Sequence, residues 1–224
     1  MYYYMQNYKI KYIDNFSASQ RRVIEEVVER EMGELLGYYG ERDIVLEFMT
    51  FYVENEYLRF SAAADEPRRM WFKVNTYQED MEGLIREHLP ECLAHEFHHM
   101  VRWNFIKEFH LAELMIMEGL AMHFAIEVKG TAVPQYVHSV TDELIEKLMP
   151  LIKRDLFNEN FEHRIWQKGS ESEGIPASFA YSYGFKLVDE YLSRHPGVKA
   201  SDCFGTDCRE FYMEYIENVD VSSR

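Results

Sequence analysis

A chain of 224 residues with 47% apolar and 28% charged residues can bury the core of one globular domain, and its 15% aromatic content excludes a disordered chain. The 39 acidic residues against 24 basic ones give a formal net charge of −15, and no Lys/Arg cluster offers the basic face that nucleic acid requires. No apolar run is long enough to span a bilayer, so neither nucleic acid nor a membrane is an expected partner.

Residues 8–13 alternate like a strand. Ser17 then offers an N-cap, and Val23, Val27, Met32, Leu35 and Leu36 recur at helical spacing to about Tyr38. Residues 43–53, 57–62 and 69–75 read as three strands, with a turn at Ala64-Asp65-Glu66-Pro67 between the last two. Helical patterns follow at 77–89 and 91–105, where Pro90 either opens the second helix or kinks a continuous one. Further helices are expected at 108–128, 139–157, 177–194 and 207–217. The order predicts an α+β fold in one domain, with sheet and first helices in 1–105 and a helical part in 106–224.

Two histidines, His95 and His99, stand four apart inside a segment predicted helical. At 3.6 residues per turn they share one face and can meet one tetrahedral Zn²⁺. Glu96, about 100° further round, can reach a water held by that metal and act as its general base. A catalytic zinc takes three protein ligands and keeps a position open. Glu118, in the middle of the apolar run from Leu111 to Ile126, is the third ligand this reasoning selects, because a lone buried carboxylate is costly. Glu113 lies about 140° round the same helix and faces elsewhere. Arg102 and Phe105 stand where the metzincin pattern needs Gly and His, which excludes that class. His98 reads as a structural polar residue off the metal face. His88, His110, His123, His138 and His163 lack ligand spacing to the motif and read as surface or satisfied core histidines, with His123 the nearest of them to a supporting position.

The three cysteines, Cys92, Cys203 and Cys208, form no zinc-ribbon or redox pattern and read as reduced thiols. The first residues, Met1 to Gln6, show neither a basic nor an apolar leader region, so the expected location is cytoplasmic.

The string His95-Glu96-Phe97-His98-His99, followed after eighteen residues by Glu118, resembles the gluzincin arrangement of zinc metallopeptidases. With Glu118-Gly119-Leu120-Ala121 and Ala180-Tyr181-Ser182-Tyr183-Gly184-Phe185-Lys186-Leu187-Val188 it is similar to an uncharacterised bacterial family of predicted zinc-dependent proteases. The resemblance runs from about residue 57 to 217. It implies a zincin-like fold with a small mixed sheet, a zinc helix, a Glu-ligand helix and a helical C-terminal part. It further implies one catalytic zinc on His95, His99 and Glu118, with Glu96 as base. It also implies an oxyanion donor, for which Tyr181 is the matched position and Tyr183 the second. One departure is Met122, at the position where thermolysin-like enzymes place an Asp to orient a zinc histidine.

The expected activity is therefore hydrolysis of peptide bonds in a peptide or protein substrate, with the edge of strand 69–75 receiving an extended chain. A metal-binding regulator without proteolytic activity and a zinc hydrolase of non-peptide amides are the alternatives. The sequence leaves the oligomeric state open.

Overall fold

The structure, a computed structural model, describes residues 3–4, 7–40, 42–55, 58–77 and 79–212, with the backbone alone at 3–4. The chain divides into two compact units, Met1–Asn104 and Phe105–Arg224.

The first unit is a five-stranded sheet, β1 (Tyr3–Tyr4), β2 (Tyr8–Tyr12), β3 (Ile44–Phe51), β4 (Phe60–Glu66) and β5 (Arg69–Asn75), in the order β1-β2-β3-β5-β4. Strands β2, β3 and β5 run parallel, while β1 and β4 pair antiparallel at the two margins. The first parallel pair is joined through helix α1 (Ala18–Leu35), the crossover that parallel strands require. Alternation puts Ile44, Leu46, Phe48, Met70, Phe72 and Val74 on one fully buried face. On the other face Lys11 and Arg69 both bond the Glu47 carboxylate at 2.8 Å. The Lys11 hydrogen bond, with Arg69 adding to it, holds the Glu47 carboxyl below the usual range despite partial desolvation.

Ser17 caps α1 with a full capping box: its hydroxyl accepts from Gln20 N–H, and the Gln20 side chain accepts from Ser17 N–H. Helix α2 (Met81–Arg102) packs against α1 and is capped by Asp80, whose carboxylate accepts from Gly83 N–H at 2.8 Å. Pro90 lies inside α2, so the expected pair of helices is one continuous helix. The missing N–H removes one bond from the ladder, and burial of Leu84, Ile85, Leu89, Leu93 and Phe97 holds the helix through it.

The second unit holds α3 (Leu111–Lys129), α4 (Asp142–Asp155), α5 (His163–Lys168) and α6 (Phe179–Arg194), with 3₁₀ turns at Gln135–Ser139 and Ala200–Asp202. Helix α3 is buried on nearly every side, as an apolar central helix must be, and ends at Gly130 in the left-handed conformation. It crosses α6 backbone to backbone at Gly119 and Gly184, where neither position has room for a Cβ. Residues 208–212 are helical, and the rest of the expected 207–217 helix lies outside the described residues.

Three sequence expectations shift. Strand β4 spans 60–66 rather than 57–62, and the turn is the pair Pro67-Arg68, with Arg68 left-handed at φ 65°. The Ala62-Ala63-Ala64 run carries no β-branched signal, and a register shift between Ala63 and Glu66 lengthens the strand. Strand β5 is interior, paired on both sides, so it has no edge to offer; the outer position belongs to β4. Helix α5 was not anticipated, since six residues carry too little periodicity to read.

Candidate metal centre

Helix α2 brings His95 and His99 together as their four-residue spacing requires. Their Nε2 atoms are 2.9 Å apart and the rings meet edge to face at 4.5 Å. Two imidazole nitrogens bound to one tetrahedral zinc at 2.0–2.1 Å lie roughly 3.3 Å apart, so the pair is within a few tenths of an ångström of ligand geometry. One ligand-capable atom from each of His95, His99 and Glu118 lies within 4.8 Å of the other two. Two imidazole nitrogens and one carboxylate oxygen form a donor set suited to zinc with a position left open. His99 and Glu118 are buried, while His95 is partly exposed.

Each residue is set by its own helix. Glu96 is buried on α2, one position round from His95. His98 is fully buried and Arg102 almost so, both on the last turns of α2. Arg102 entered the sequence reading only as a mismatch to metzincins. Nothing in the local sequence separates it from the other charged residues of α2, such as Arg86 and Glu87, which are exposed. Cys92 lies one turn before Glu96; burial pushes its thiol well up, and the charges of Glu96 and Glu91 push it further.

On α3, Glu118 follows seven residues after the helix start at Leu111. That start is fixed by His110, a buried cap whose Nδ1 accepts from Glu113 N–H at 3.2 Å. Sequence reasoning passed over His110 because histidine is a rare cap. Burial holds its imidazole below the ordinary range, with Glu113 and Glu108 opposing and Arg209 assisting, which suits the unprotonated acceptor nitrogen. His123, one helical step beyond Met122, turns to α6. Its ring stacks on Phe185 at 4.1 Å and its Nε2 lies 3.2 Å from the Phe185 carbonyl. Burial lowers its pKa, with the contact to the Phe185 carbonyl and the charge of Asp189 opposing.

Helix α6 carries the two tyrosines. Tyr183 is fully buried and packs on Phe179 at 5.6 Å. Tyr181 is partly buried and packs on the small cluster of Met122, Val137 and Phe185. The Gln167 amide approaches the Tyr181 hydroxyl oxygen at 3.5 Å.

A family model described as "Predicted Zn-dependent protease (DUF2268)" matches residues 34–212. The chain belongs to this family. A curated relative within reach of this DUF2268 chain is the uncharacterized protein YjfC of Bacillus subtilis (strain 168), 27% identical over 143 residues. That match covers 56% of this chain and 44% of YjfC, so the chain spans less than half of that relative's length. Among solved structures, the crystal structure of an aminopeptidase N family protein from Idiomarina loihiensis aligns with 91% of this chain and 39% of its own, at 14% identity and a TM-score of 0.49. Among the described residues, no helix is long and apolar enough to cross a membrane.

Proposed function

We propose that this chain is a zinc-dependent metallopeptidase of gluzincin type, in which His95, His99 and Glu118 hold one catalytic zinc within a single zincin-like domain. The convergence of three ligand atoms of the right chemistry carries the reading, and membership of a family of predicted Zn-dependent proteases supports it. Zinc, when bound, supplies the Lewis acidity that makes water nucleophilic at neutral pH and polarises a scissile carbonyl.

The chain's own residues supply the rest. Glu96, adjacent in sequence to one ligand and on the same helix as both histidines, accepts the proton of the attacking water and returns it to the leaving amine. Tyr181, the position matched to the family's oxyanion donor, donates its hydroxyl proton to the developing oxyanion. An extended peptide substrate lies along β4, the outer strand of the sheet, rather than β5. One β4 carbonyl, that of Ala64, accepts from Trp103 Nε1–H at 2.6 Å. The acidic chain works in the cytoplasm on a peptide or protein.

A digest of a mixed peptide library by the zinc-loaded protein, read by mass spectrometry, tests this. Wild type is expected to cleave, and Glu96→Gln to lose at least about a hundredfold in rate while keeping its zinc. Library peptides left intact by the zinc-loaded wild type, or equal cleavage by both proteins, would overturn the reading.

A further inference from the structure

Met122 is where this chain departs from the thermolysin-like pattern, and its surroundings give it a different use. It lies four residues after Glu118 on α3, on the same face and about 6 Å along the axis. There it meets a small apolar cluster apart from the main core, formed with Val137 and Phe185 and flanked by Ile126 and Tyr181. Tyr136 closes over this cluster from the 3₁₀ turn Gln135–Ser139: its hydroxyl reaches the Met122 sulfur at 3.6 Å, and its ring meets that of Tyr181 edge on at 6.4 Å.

Tyr136 remains 43% exposed. Its backbone is fixed from two sides, since Ser182 Oγ donates to the Tyr136 carbonyl at 2.9 Å and Ser139 Oγ at 2.6 Å. A fixed, exposed aromatic ring backed by the buried thioether of Met122, with Tyr181 beside it, is the composition of a recognition surface for a large apolar group. Successive residues of an extended chain are about 3.3–3.6 Å apart. A surface one helical turn from Glu118 is therefore within reach of a side chain one or two residues from the scissile bond.

We propose that Met122, Tyr136 and Tyr181 form a specificity subsite that takes a large aromatic or aliphatic side chain of a peptide substrate. The proposal rests on the peptidase reading for its position next to the reacting bond, and names the substrate class that reading leaves open. Tyr136 acts here through its ring, and so is a specificity residue rather than a catalytic one.

The test uses zinc-loaded, full-length Glu96→Gln protein and a series of blocked pentapeptide amides, Ala-Ala-X-Ala-Ala with X as Phe, Leu, Ala or Gly, with binding measured by calorimetry. The Phe and Leu peptides are expected to bind about tenfold or more tighter than the Gly peptide. Tyr136→Ser should reduce that ratio below about threefold, and Tyr136→Phe should restore it, because the ring and not the hydroxyl sets the preference. Equal binding across the series, or an unchanged ratio in Tyr136→Ser with the fold intact by circular dichroism, would overturn the subsite. Failure of the peptidase reading looks different: the apolar preference in binding stands, and zinc-loaded wild type cleaves none of the peptides.

Discussion

The crossing of α3 and α6 joins the helix carrying Glu118 to the helix carrying Tyr181, and Gly184→Ala probes it directly. A Cβ built at 184 lies 2.7 Å from the Met115 carbonyl carbon and 3.1 Å from its Cα, and closer still to the carbonyl oxygen. Ordinary contact begins at 3.4 Å, so the backbones must part by at least 3.4 − 2.7 = 0.7 Å. Because the obstructing atoms are backbone, no rotamer change relieves them, and the cost falls at the upper end of overpacking, about 3 kcal/mol. Alanine's better helix propensity returns about 1 kcal/mol, leaving a net loss of about 2 kcal/mol. Urea unfolding of both proteins at pH 7 measures it. Gly33→Ala is the control: it sits in α1 with nothing within 4 Å of its Cβ, and is expected to stabilise by about 0.5–1 kcal/mol. A Gly184→Ala protein as stable as wild type would refute the close crossing.

Asn75 is fully buried and bonds the carbonyls of Val53 and Leu58 and the N–H groups of Val53 and Tyr77, so Asn75→Ala should cost about 2–3 kcal/mol in urea unfolding. His110 has a folded pKa below its unfolded value near about 6.5, so its contribution as a neutral cap is complete above that value and lost as pH falls through the folded pKa. His110→Asn keeps a capping side chain and should flatten the dependence of Tm on pH between about 5 and 7. Asp155 is held below the usual carboxylate range by Arg154 and then by Trp166 Nε1–H at 2.9 Å. Its contribution is therefore present above the unfolded value of about 3.9 and lost below it, and Asp155→Asn should show a shallower loss of Tm than wild type as pH drops under about 4.

The elements that read cleanly from the sequence are those whose burial repeats with one period. Ser17 and the Val23–Val27 spacing marked α1, alternation marked β2, and runs rich in Ile, Val, Phe and Trp marked β3 and β5. The His95–His99 spacing was legible for the same reason: four residues on a helix is a distance as well as a pattern. Glu118 stood out as the acidic residue in the middle of an apolar run. The rest depended on non-local pairing. Which strand became the outer one follows from the parallel docking of β5 on β3, which no local composition encodes. The Gly119–Gly184 contact joins positions far apart in the chain, and each glycine alone reads only as a weak spot in a helix. Tyr136 lies in a 3₁₀ turn, where no periodic signal distinguishes a fixed ring from a loop residue.

The central claim is that His95, His99 and Glu118 hold one zinc. Its most direct test is zinc stoichiometry by elemental mass spectrometry after reconstitution and exhaustive dialysis, for wild type, Glu96→Gln and His99→Ala. The account predicts one zinc per chain in wild type and in Glu96→Gln, and none retained in His99→Ala. Substoichiometric zinc in wild type, or equal zinc in His99→Ala, would contradict it.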